Sequence, residues 1–234
     1  MPLFLILAIN SNLISAKTSK RDSINNEIKE YRISPNFNSK DTLYINNVIE
    51  LASHQRFHNL DSLLLLSQES LHLSKMASFV PGEIRSYHAI GGYYSDKGKT
   101  DQAISYYKKA YNLSKEHHNK ILIVTTLNEL AKEYGYKGDY KQSIKKFLET
   151  LELAEEFNFK KLLSIANENV AHLYLEQNDF EHAMVFFKKS KAINEEIGNP
   201  VYLAETMSNM ASTYAELNEL DYAMFNINSS IPIF

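Results

Sequence analysis

The chain has 234 residues, 44% hydrophobic and 23% charged, with a formal net charge of −3. This balance lets a chain bury a core, and its mild acidity gives no electrostatic reason to expect nucleic acid, whose binders present a basic face. Cysteine is absent, which excludes disulfides, thiolate metal sites and cysteine nucleophiles.

The first element is Met1 to Ala16, an unbroken apolar run from Leu3 to Ile9 followed by polar residues and a small one before Lys17. That layout predicts a secretory signal peptide cleaved after Ala16, hence a periplasmic or cell-surface protein. No Lys or Arg precedes the run and Ile14 replaces a small residue, so a buried N-terminal helix in a cytoplasmic protein is the alternative. The run is too short to span a bilayer, so no direct membrane span is expected. Lys17 to Lys40 reads as a polar linker, with Ile24, Ile28 and Tyr31 spaced for one short helix that Ser34-Pro35-Asn36 breaks.

From Asp41 onward the chain repeats itself. Ala103, Ser143, Ala183 and Ala223 fall 40 residues apart, and the same chemistry recurs around each. Twelve residues earlier stands a small side chain (Gly91, Ala131, Ala171, Ala211), preceded by Ile90, Leu130, Val170 and Met210. Three residues after the small one comes tyrosine: Tyr94, Tyr134, Tyr174, Tyr214. Four residues past the anchor the side chain is bulky (Tyr107, Phe147, Phe187, Ile227), and three further it is small again (Ala110, Thr150, Ser190, Ser230). Small residues facing each other let two antiparallel helices approach closely. Gly98, Gly138, Asn178 and Asn218 occupy the turn, where a left-handed residue ends a helix. Asp41 to Lys75 is a diverged first copy, with Leu51-Ala52 as the aliphatic–small pair, Asn59 as turn residue and Leu63 at the anchor. The units are about 41–80, 81–119, 120–159, 160–199 and 200–234. Pro81-Gly82 separates the first two, and Gly198-Asn199-Pro200 separates the last two. The last copy is short, Pro232 lying soon after Ala223. It predicts a fragment of something longer, or an end buried against a partner or a second copy of the chain.

This pattern resembles the tetratricopeptide repeat family, with units longer than the usual ~34 residues and without the late Pro. The resemblance implies an all-α, right-handed superhelical solenoid of antiparallel helix pairs, about five repeats, whose first helices line a concave groove for a protein or extended peptide. The groove columns are then Arg85, Thr125, Ile165 and Glu205; His88, Asn128, Glu168 and Ser208; and Gly92, Lys132, His172 and Ser212. Asn169 and Asn209 stand beside them, each offering amide donors and acceptors to a peptide backbone. The family's carboxylate clamp is not reproduced, because His88 and Gly92 take its leading positions.

Enzyme chemistry leaves no trace. There is no phosphate loop, nucleophile elbow, HExxH or calcium loop, and no cofactor is expected. His117-His118, and His54 with His58 one helical turn on, lack a third ligand at metal spacing and read as surface histidines. Glu129 with Glu133, and Glu152 with Glu155, read as exposed carboxylates. The function expected is a non-catalytic peptide- or protein-binding module, the extracytoplasmic sensor part of a bacterial membrane-bound regulator. The alternatives are a free periplasmic or cell-surface scaffold, and an intracellular peptide-responsive regulator.

Overall fold

The computed structural model describes residues 20–56 and 58–230, which form eleven α-helices and no strand. In order they are α1 (20–33), α2 (Thr42–Gln55), α3 (Leu60–Met76), α4 (Val80–Asp96), α5 (Thr100–Glu116), α6 (Lys120–Tyr136), α7 (Tyr140–Glu156), α8 (Lys160–Leu175), α9 (Phe180–Glu196), α10 (Pro200–Glu216) and α11 (Leu220–Ser230). The expected signal peptide, and the apolar end 231–234, lie outside the described residues. The chain divides into two compact bodies, Met1–Thr126 and Leu127–Phe234, with the boundary inside α6.

The helix ends keep a shorter count than the sequence repeat. Ser78, Gly98, His118, Gly138, Asn158, Asn178, Gly198 and Asn218 all have positive φ, between 53° and 80°, and each stands 20 residues after the last. Each is followed by a residue whose amide reaches back over the final turn, as Phe79 N does to Ser74 O (2.8 Å) and Asp179 N to Tyr174 O (2.9 Å). This is the paired closure that satisfies the orphan carbonyls of a helix end. The turns within units were expected at their Gly and Asn. Those between units include Ser78 and His118, residues that do not advertise the conformation. His118, read above as half of a surface pair, is a turn residue. Side-chain caps then start several helices: Asn59 accepts from Ser62 N, Asp139 from Gln142 N, Asp179 from His182 N and Asn199 from Tyr202 N.

In the first body, α1 is part of the core. Ile24 and Ile28 are buried in one cluster with Tyr44, Ile45, Val48, Ile49, Leu51 and Leu73. Tyr31 donates to Asp41 (2.7 Å) and Arg32 to the Tyr44 hydroxyl (2.7 Å). The stretch read as a linker thus covers the outer side of α2. Asn59 departs from its expected role as the turn residue: its φ is −153°, and its side chain caps α3. The pair His54 and His58 is also split, because α2 ends at Gln55. Gly91 lies under the ring of Tyr107, where an added Cβ would come within 2.8 Å of two ring carbons. The repeat's smallest residue therefore faces a fully buried tyrosine.

In the second body the columns pack as their chemistry dictates. Ala131, Ala171, Ser143, Ala183, Phe147 and Phe187 are all buried, and the Ser143 hydroxyl donates to Ala131 O (2.8 Å), so a polar residue fits the anchor. Phe147, Val170 and Leu173 close around Ala131, and Phe187, Met184, Met210 and Tyr214 around Ala171 and Ala183. Ala211 is buried and Ala223 only partly so. Tyr134 is half-buried, as are Tyr94 and Tyr174. Glu133, expected on an exposed face, is 1% exposed, whereas Glu152 and Glu155 are exposed as read. A polar seam joins α8, α9 and α10: Ser164 donates to Asn194 (2.7 Å), and Asn194 donates to Thr206 (3.0 Å). Pairing of this kind makes burial of such groups tolerable.

Candidate functional site

The groove residues of the first body come together. Arg85 and His88 on α4 face Ile49 and Ser53 of α2, and Arg56 just past its end, across a cleft of about 240 Å³, which Gly92 and Thr125 also line. Arg56 holds Asp96 through two 2.7 Å bonds. Arg85 donates to Asn46 Oδ1 (2.8 Å), and burial lowers its pKa against the opposing pull of Glu50. The His88 ring meets Tyr107 edge-on at 5.3 Å.

In the second body Lys132, Asn169 and His172 line one small cleft of about 110 Å³, with Phe147 and Leu173 beneath and Glu176 at its edge. Asn169 does not stand alone: its amide donates to Asn128 Oδ1 (3.0 Å), and Asn128 is buried. Lys132 pairs with Glu129 at 3.1 Å. His172 is open on one side, but its ring lies edge-on to Phe187 (5.4 Å). This desolvation lowers its pKa against Glu205 and Glu176, favouring a neutral imidazole. Glu168 accepts from the Thr206 hydroxyl, and burial raises its pKa.

Ser208 and Asn209 lie outside this cleft. The Ser208 hydroxyl is spent on Ala204 O (2.9 Å) and Ser230 (3.4 Å). Asn209 is half-buried one unit along from Asn169, and its backbone carbonyl accepts from Thr213. Asn169 and Asn209 were each expected to offer an amide to a peptide backbone, and the Asn169 amide also bonds Asn128, in the neighbouring column. Asparagines at 128 and 169, one unit plus one residue apart, were the available signal.

The sequence reading missed a larger cleft of about 620 Å³ among α9, α10 and α11, floored by Met210, Tyr214, Tyr222 and Phe225 and edged by Lys188, Lys191 and Asp221. One unit earlier, Leu151 and Phe186 hold the columns of Lys191 and Asn226 and pack on the Phe147 core. Replacing that apolar pair by Lys and Asn leaves the space unfilled. Among the described residues no three His, Asp or Glu side chains gather as metal ligands, and no helix is long and apolar enough to cross a membrane.

The helix pairs, their small-residue contacts and their left-handed turns define a helical-hairpin repeat module. Residues 82–156 and 164–197 match models described as tetratricopeptide repeat, so these stretches of the chain are repeats of that family. Solved structures share the fold. BtubC (BKLC) from P. vanneervenii is 18% identical with a TM-score of 0.73, over 93% of this chain and 91% of that one. A Rap protein complexed with Competence and Sporulation Factor is 12% identical with a TM-score of 0.71, over 90% of this chain and 62% of that one. NprR in complex with its cognate peptide NprX is 20% identical with a TM-score of 0.69, over 92% and 61%. No curated protein matches the chain in sequence.

Proposed function

We propose that the chain is a non-catalytic module that binds an extended peptide or protein segment on its first helices. The observation that carries this reading is the meeting of Lys132, Asn169 and His172 over an apolar floor, with the Asn169 amide oriented by Asn128. An oriented amide beside a cation and a neutral imidazole offers backbone hydrogen bonds and side-chain selection at one place. The structural likeness to Rap and NprR, solved with a competence factor and a cognate peptide, supports a peptide as the ligand class.

In the reading favoured here the module is exported and serves as the sensor part of a membrane-bound regulator, which rests on the Met1–Ala16 layout. The fold shared with Rap and NprR favours the second reading, an intracellular peptide-responsive regulator. Mass spectrometry of the protein from its host separates them: a mature start at Lys17 supports export, and an intact Met1 removes it. Self-association through α11 belongs to the same proposal, since Met224, Phe225 and Ile227 stand exposed there. A monomer at all concentrations in sedimentation refutes it.

The binding site is tested by selecting peptides from a displayed random library on the purified chain and titrating them calorimetrically. Asn169→Ala should weaken selected peptides by about tenfold, the worth of a hydrogen bond or two, at unchanged helicity. Equal affinity for wild type and variant would place recognition on another face.

A further inference from the structure

In the first body, α4 and α5 carry a row of four tyrosine rings. Tyr93 meets Tyr94 edge-on at 5.2 Å, Tyr94 stacks on Tyr106 at 5.4 Å, and Tyr106 lies 6.3 Å from Tyr87. Lysine ammonium groups sit over these rings. Lys99 is 6.0 Å from the Tyr94 centroid, Lys109 is 4.5 Å from Tyr106 and 5.8 Å from Tyr87, and Lys75 is 5.4 Å from Tyr87. All three lysines are exposed, and among the described residues none has a carboxylate within ion-pair distance. Glu83 acts on Lys75 only from further off, and Asp61 is engaged at 4.0 Å with a fourth lysine, Lys97, beside Tyr93.

The pattern is written into the repeat. In the fourth unit Phe186 and Lys189 hold the columns of Tyr106 and Lys109. There Tyr174 stacks on Phe186 at 5.6 Å and Lys189 lies 5.0 Å from the ring. In the third unit the same columns hold Lys146 and Glu149, which close on each other as an ion pair at 2.8 Å. The second unit places Lys99 and Lys109 along consecutive rings, and Lys75 of the first unit joins them at Tyr87.

A cation held over an aromatic face loses some of its freedom to wander, and its outward N–H groups remain available. We propose that this lysine–tyrosine row on α4 and α5 is a docking surface for an acidic polypeptide segment, separate from the first-helix site. The choice of polypeptide over single-stranded nucleic acid follows from the rings. Bases bind such surfaces by stacking on free aromatic faces, and here the faces are taken up by neighbouring rings and by lysines. An extended peptide puts alternate side chains about 7 Å apart on one face, comparable to the 5.2–6.3 Å between successive rings of the row, so carboxylates along one face of such a peptide can reach several of the lysines.

The probe is a fluorescein-labelled peptide of alternating Glu and Ser, followed by anisotropy with the full chain at low salt. Wild type should bind, with affinity falling as salt screens the contacts. The combined variant Lys75→Gln, Lys99→Gln, Lys109→Gln should lose about ten- to a hundredfold, the sum of three exposed ion pairs, with unchanged circular dichroism. The corresponding Lys→Arg variant should keep binding, and Asn169→Ala should leave this peptide unaffected. No wild-type binding at low salt would overturn the proposal, as would equal binding by the Gln variant. Displacement by oligothymidylate as effective as by unlabelled peptide would also overturn it, by making the surface a nucleic-acid or general polyanion site.

Discussion

His118 holds φ at 53° in the turn between α5 and α6, a conformation that costs a residue with a Cβ about 1–2 kcal/mol. Three of the eight equivalent turns hold Gly. His118→Gly should therefore stabilise the protein by about 1 kcal/mol, read as a raised midpoint in urea, with part of the gain returned to the more flexible unfolded chain. Glu168 gives a prediction with pH. Burial raises its folded pKa above the ordinary value, helped by Glu205 and opposed by hydrogen bonds from Thr206 and Ser190. A raised folded pKa means the folded state binds the proton more tightly, so its favourable share of stability is present in acid and is lost as pH rises through the folded value. Glu168→Gln should accordingly stabilise at neutral pH, and the advantage should fade as pH falls through the raised folded value and be gone below about pH 4.5, the ordinary range for glutamate. A gain that is constant with pH would sink the assignment. Residue type alone disclosed the small and bulky columns, because steric complementarity is a property of each side chain. It did not disclose Asn128 with Asn169, or Glu133 in the core, since those depend on where one helix meets the next.

At the scale of the helix, α9 and α11 are the informative comparison, because they are the same element in successive units. Met184 and Phe187 are 5% and 0% exposed, while Met224 and Ile227, in the same columns, are 61% and 43% exposed. α10 follows α9 and packs on it, and no helix after α11 is among the described residues. Phe187→Ala should cost about 3–5 kcal/mol, whereas Ile227→Ala should cost about 0.5 kcal/mol or less, as an exposed substitution does. Comparable losses in denaturant titrations would mean that α11 is covered in solution. The helices were legible because apolar residues recur at the helical period. α1 was undervalued for a physical reason: it contributes only two buried side chains to its cluster, Ile24 and Ile28, amid a polar sequence.

Across the whole molecule the governing quantity is the count of 20 residues from one left-handed turn to the next, kept from Ser78 to Asn218. At 3.6 residues per turn, one residue fewer inside a helix rotates everything beyond it by about 100°. Deleting exposed Lys189 from α9 should therefore turn Ser190 and Asn194 out of the polar seam and lower both the midpoint and the steepness of urea unfolding. An extra glycine beside Asn178, in the turn, should leave the steepness unchanged. The forty-residue period was visible in the sequence, but its division into equal halves was not, because Ser78 and His118 do not look like Gly98. The tyrosine row has an optical consequence as well. The chain has 15 tyrosines and no tryptophan, so no indole masks phenol absorption and emission. Rings stacked as closely as Tyr94 on Tyr106 and Tyr214 on Tyr222 couple their transitions, and the near-ultraviolet dichroism of the native protein becomes a built-in gauge of whether these stacked pairs are assembled, readable without any label.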